Sequence, residues 1–423
     1  MDKKDPRYEN YLNIVQEELI PAMGCTEPVS IALAAAWARK TLGCCPERVL
    51  IEVSGNIIKN VKSVVVPNTG GLKGIKAAAA VGIVAGKADK KLEVIAGIAD
   101  AQKKAAKAFL EKTPMDVKVA KTGKIFDINI TVFAGSSSAR VRITDSHTNI
   151  SLIEKDGKPV FEQNSSQEPE ETDRSLLTIA GALDFAESVA LEDVRSTIER
   201  QIAYNSAISA EGLKNDYGAN IGKVLIKNYG SGIQIRAKAA AAAGSDARMS
   251  GCEMPVIIVS GSGNQGMATS LPVIEYAKEL GVGHEKLIRA LVLANLITIH
   301  LKTGIGRLSA YCGVVSAGAA AGAGIAYLDG GGLEEISHTI VNALAIVSGI
   351  VCDGAKASCA AKIAASVEAG IMGYTMFKNG QQFYGGDGII AHGLEETIRN
   401  ISYLGKEGMR KTDEEIIQLM LEA

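Results

Sequence analysis

The chain has 423 residues, 47% of them apolar, with 45 Lys and Arg against 47 Asp and Glu, a formal net charge of −2. That length and apolar share support two cores. The near-neutral charge supplies no field for nucleic acid or an anionic membrane surface, so neither is expected as a partner; small molecules are, and a homo-oligomer stays open.

The N-terminus, MDKKDPRYEN, is charged and lacks the apolar centre of a secretory signal, so a cytoplasmic location is expected. Seven cysteines, an odd number without tight repeating spacing, argue against a disulfide framework and leave thiol, metal or cluster chemistry open. Apolar runs such as 341–351 fall short of the roughly 20 residues that span a bilayer.

In chain order, residues 8–40 read as two helices broken at PAMGCTEP, where Pro21, Gly24 and Pro28 interrupt the pattern. The second helix ends at Gly43. Cys25 falls in the turn before it, with Thr26 as the expected N-cap and the positive helix end nearby, a setting that favours a thiolate. After Pro46 come strand-like RVLIEVSG and KSVVVP, then the turn PNTGG, a small-residue helix and a further helix over 91–112. Short alternating segments over 117–163 predict strands, and NSSQEPEETDR reads as a linker. From Ser175 onward the chain reads as nearly all helical, interrupted by VIIVSG before GSGNQG.

These elements predict an α+β fold. A mostly helical domain is expected from residues 1–45 together with 175–423, and residues 46–174 form an inserted α+β domain with a small, largely antiparallel sheet. The active site is expected in the helical domain, roofed by the inserted one, where PNTGG reaches it.

The segment from Gly304 to Ala360 concentrates the chemistry: three cysteines among many glycines and alanines. Adjacent Cys44 and Cys45 diverge and read as structural, and Cys252 reads equally well as buried or as near the site. Cys359 follows Cys352 by seven positions, about 10.5 Å of rise on a continuous helix, long for two ligands of one compact centre. Spacing alone leaves the cysteines open between buried thiols and ligands.

The motifs MGCTEP, VPNTGGLKGI, GSDARMSGCEMPV with SGSGNQG, GRLSAYCG and CDGAKASCAAK, in this order across essentially the whole chain, resemble the L-cysteine desulfidase family and, more distantly, the α-chain of the iron-sulfur L-serine dehydratases. The resemblance implies a pyridoxal-phosphate-independent carbon-sulfur lyase with a [4Fe-4S] cluster, converting L-cysteine to pyruvate, ammonia and sulfide. It implies Cys25, Cys312 and Cys352 as cluster ligands, with Cys359 in reserve, and substrate bound at the open iron before loss of the α-proton. L-serine dehydration by the same chemistry is the alternative, as is a non-catalytic amino-acid binder or thiol sensor, which is favoured if the three cysteines lie far apart.

For the base, Lys356 and His300 are the candidates, the one beside a proposed ligand and the other at the start of the cysteine-bearing segment. For the substrate carboxylate, Ser262, Gly263, Asn264 and Gln265 offer amides and hydroxyls after an apolar strand, Asn68, Thr69 and Gly70 offer a second turn, and Arg307 or Arg248 offers a guanidinium fork.

Overall fold

The computed structural model describes residues 1–163, 172–306 and 308–422, so most of the expected linker, and Arg307, lie outside the described residues. The fold is α+β. A six-stranded sheet runs in the order Met115–Val119, Arg48–Val53, Asp127–Ala134, Ser137–Thr144, Ile150–Lys155, Lys158–Glu162. Only the first pair is parallel, so the sheet is largely antiparallel as expected. Its alternating residues Ile128, Ile130 and Val132 are fully buried, the period of a half-covered sheet.

Buried apolar side chains divide into two cores. The first gathers helix Pro6–Glu18 with the helices from Ile179 to Tyr403. The second gathers the sheet, helix Gly74–Ala85 and helix Thr26–Leu42. The expectation grouped both N-terminal helices with the helical part; the packing puts only the first there. Helix Thr26–Leu42 is buried on nearly every face, and Gly82 lets helix Gly74–Ala85 lie against the Ala32 backbone.

Three local expectations change. KSVVVP forms no strand, because helix Gly55–Val61 runs into it and only Val65 makes an isolated bridge, to Lys73. The helix expected over 91–112 starts only at Asp100, after a 3-10 turn at Ala88–Glu93 and a left-handed Gly97. Cys25, not Thr26, occupies the N-cap position of helix Thr26–Leu42.

The glycines and alanines of the cysteine-bearing segment have a packing role. Helices Gly313–Leu328 and Cys359–Lys378 touch backbone to backbone: a Cβ on Gly318 would lie 2.3 Å from Ser366 O, and one on Gly322 would lie 2.4 Å from Gly370 O. The contacts advance in the same direction along both helices, so the pair is parallel. Their N-termini, Cys312 and Cys359, therefore lie side by side.

Among the described residues no helix is long and apolar enough to cross a membrane.

Candidate active site

A cavity of about 970 Å³ opens along the seam between the two cores. Its wall includes Cys25, Cys312, Cys352 and Cys359. Cys25 belongs to the second core and Cys359 packs against it, whereas Cys312 belongs to the first and Cys352 packs against that. Cys359 opens helix Cys359–Lys378 of the first core, so the first half of the molecule supplies three of the thiols and the second half supplies Cys25; all four are free.

Short-range structure delivers each one. Strand Pro21–Met23 pairs antiparallel with Pro255–Ile257, which carries the MGCTEP turn to the SGSGNQG turn. Gly24, with φ +65°, then bends the chain into helix Thr26–Leu42; a Cβ there would lie 2.1 Å from Pro67 Cγ. Arg248 Nη2 donates to Gly24 O at 2.7 Å and fixes the bend. Across the cavity, Tyr311 and Val351 form an antiparallel bridge, with Cys312 N donating to Ile350 O at 3.1 Å and Cys352 N to Ala310 O at 2.6 Å.

Helices starting at Thr26, Gly263, Gly313 and Cys359 all begin at this wall. Their positive ends favour anions and thiolates. Lys59, Lys302, Lys362 and Arg248 also line it. The Cys312 and Cys352 thiols act on one another, which raises the pKa of Cys312 and lowers that of Cys352; Lys59, the Gly354 amide and Lys302 depress Cys352 further against its burial. Burial pushes the Cys25 thiol up to about 12, with Arg248 opposing, and raises Cys359. Burial also lowers Lys302 to about 8, with Cys352 and Cys312 opposing.

Of the sequence-derived residues, Ser262, Asn264 and Gln265 line the cavity with the four cysteines. Gly263 lies between them at the helix start, where its bare Cα leaves room for the Arg248 guanidinium. Asn68, Thr69 and Gly70 are not on the wall. Asn68 Nδ2 donates to Ile95 O at 2.8 Å and Thr69 Oγ1 to Val66 O at 2.7 Å, so the turn closes on itself and supports Gly24 through Pro67.

Neither expected base lines the cavity. His300 Nε2 is 2.7 Å from Glu395 Oε2. Lys356 pairs with Asp353 at 2.6 Å. Lys302, two positions after His300 and so about 200° around the helix, faces the cavity instead. It is 4% exposed, donates to Gly306 O, and has no carboxylate partner among the described residues. Sequence reasoning missed Lys302, Lys59 and Lys362. The available signal for Lys302 was a lysine closing the apolar run ALVLANLITIHL, and lysine is ordinary in a last helical turn.

Among the described residues no three His, Cys, Asp or Glu side chains meet tightly enough to hold a single metal ion.

A family model described as serine dehydratase alpha chain matches residues 89–418. The chain is 62% identical to a UPF0597 protein of Desulfitobacterium hafniense, covering 100% of this chain and 98% of that one. It is 52% identical to a UPF0597 protein of Lachnoclostridium phytofermentans, over 98% of this chain and 100% of the relative. A third UPF0597 protein, from Treponema denticola, is 47% identical over 98% of each. With a lyase-type family matched over most of its length and UPF0597 relatives aligned end to end, the chain belongs to the serine dehydratase alpha chain family.

Proposed function

We propose that the protein is a cytoplasmic, pyridoxal-phosphate-independent lyase that converts L-cysteine to pyruvate, ammonia and sulfide with a [4Fe-4S] cluster held by Cys25, Cys312 and Cys352. One observation carries this reading: four free thiols, three from the first core and Cys25 from the second, line one cavity beside buried cations. The donor set fits such a cluster. Thiolates are its usual ligands, and because they bind different irons they need not converge on one point. Lys59 and Lys302 favour the Cys352 thiolate, and Arg248 opposes the burial that raises Cys25. That Cys25, Cys312 and Cys352 line one cavity supports this reading over a non-catalytic thiol sensor.

When bound, the cluster supplies a Lewis-acidic iron beside the leaving group. The protein's own residues do the remaining work. Lys302 Nζ, held in the wall without a carboxylate, accepts the α-proton. Ser262, Asn264 and Gln265, at the start of helix Gly263–Leu280, orient the substrate in the field of the helix end.

L-serine dehydration is the second reading, favoured by the family match. Anaerobically purified protein should be brown, contain iron and acid-labile sulfide, and release sulfide from L-cysteine faster than pyruvate from L-serine. The reverse ratio selects the serine reaction. Colourless protein that stays inactive after reconstitution overturns both.

A further inference from the structure

Among the described residues, two buried side chains of the cavity wall each leave one polar atom without a partner. Arg248 is 5% exposed and Gln265 is 5% exposed, and both line the cavity. Arg248 Nη2 donates to Gly24 O, and Nη1 reaches Asn264 Oδ1 only at 3.4 Å. Its Nε has no partner, and no carboxylate pairs with the guanidinium among the described residues. Gln265 Oε1 likewise has no donor among the described residues. A buried guanidinium without a counter-anion is costly, and so is a buried amide oxygen without a donor. The two flank the start of helix Gly263–Leu280, where Ser262 is the N-cap.

Glycines fix both positions. A Cβ on Gly263 would lie 2.5 Å from Arg248 Nε, and one on Gly313 would lie 2.6 Å from Gln265 Cδ. The guanidinium is therefore laid over the helix start on the Cys25 side, where it acts electrostatically on that thiol. The Gln265 amide is laid beside Cys312 on the other side.

We propose that Arg248 and Gln265 read the two ends of an α-amino-acid zwitterion. The guanidinium, with the free amides of the helix start, takes the carboxylate, and Gln265 Oε1 takes the ammonium. The opposite polarities of the two unfilled groups match those of the ligand's two ends. This rests on the lyase reading for its substrate class but is tested separately from turnover.

The test is calorimetric titration of the anaerobic full-length protein with L-alanine, propionate and ethylamine, which carry both charged ends, the carboxylate alone and the ammonium alone. Arg248→Gln should weaken L-alanine and propionate by about 10- to 100-fold and leave ethylamine unchanged. Gln265→Met should weaken L-alanine and ethylamine by about tenfold and leave propionate unchanged. If Arg248→Gln does not fold, Arg248→Lys keeps the charge but loses the fork, and should weaken L-alanine and propionate together with ethylamine unaffected. A wild type that binds neither L-alanine nor propionate, equal loss of all three ligands, or unchanged L-alanine binding in Arg248→Gln overturns the proposal. Unchanged KM for L-cysteine in an active Arg248→Gln protein sinks it and leaves the lyase reading standing. Selective binding losses in a protein that turns over neither L-cysteine nor L-serine sink the lyase reading and leave the zwitterion site.

Discussion

Cys312 and Cys352, 40 residues apart in sequence, flank the bridge between Tyr311 and Val351, and their interaction leaves Cys352 the more acidic of the two thiols. The backbone bonds on both sides of the bridge hold them there without any ligand. Two of the three proposed cluster ligands are thus held by one bridge at the first core, and the third, Cys25, comes from the second.

That asymmetry separates the remaining cysteines. Cys359 Sγ donates to Gly354 O at 3.6 Å and is already engaged. Cys25, at the N-cap position of its helix, makes no capping bond. Cys312→Ser, Cys352→Ser and Cys25→Ser should each lose most iron and acid-labile sulfide from anaerobic protein, while Cys359→Ser should keep at least about half. Iron lost in Cys359→Ser and kept in Cys25→Ser would exchange their roles.

Lys302 is assigned the α-proton. Lys302→Met is close in length and apolar in a buried position, so the fold and the iron content should be kept. The kcat for sulfide release should fall by about 10²- to 10⁴-fold, the usual range for losing a positioned base. Exchange of the α-proton with deuterated solvent should fall with it. A kcat within about threefold of wild type would return the role to another group.

The sequence made the four thiols legible because they sit in three distinct motifs, Cys352 and Cys359 sharing one, and it made the sheet legible because residues 127–162 alternate. It did not reveal which lysines face the cavity. In helix Gly313–Leu328 all residues but Gly313 and Tyr327 are buried, and in helix His284–Thr303 burial extends around most of the surface. Helices covered on all sides carry no polar stripe from which to read their rotation. His300 was therefore as eligible as Lys302 until the packing set them on opposite sides. The PNTGG turn misled for a different reason: its glycines and Asn68, at φ 59°, serve a turn that supports Gly24 and Cys25 from behind.

The C-terminal helix Arg410–Glu422 buries none of its residues, yet Asp413, Glu414 and Ile417 line the cavity. It is held by Asp413, which pairs with Lys59, a side chain only 1% exposed, and accepts from Asn56 Nδ2 at 2.7 Å. Asp413→Ala leaves the buried Lys59 charge uncompensated, a loss of about 3 kcal/mol in closing this helix. Hydrogen exchange of amides 410–422 should speed up by about 100-fold while the core helices keep their protection. Lys59→Met combined with Asp413→Leu removes both charges and should restore most of that protection. Unchanged exchange in the single variant would show that the ion pair does not hold the helix.

Asp246 gives a pH dependence independent of any cluster. It is 1% exposed; Oδ2 accepts from Gly222 N at 3.1 Å, and Oδ1 has no hydrogen-bond partner among the described residues. Burial raises its carboxyl to about 6, opposed by the amides of Gly222 and Ile221. The folded-state value therefore lies above the unfolded value of about 3.9. The unfolded chain loses this proton first as pH rises, so the Asp246 contribution to stability declines from about pH 4 to about pH 6 and stays low above that. Asp246→Asn keeps an oxygen for Gly222 N and cannot ionise. It should stabilise the protein by about 2 kcal/mol at pH 7.5, and most of the gain should be gone near pH 4. Urea unfolding of both proteins at the two pH values measures this. An equal gain at both would assign the effect to packing, and a loss at pH 7.5 would mean that the ionised carboxylate has a favourable partner in the fold.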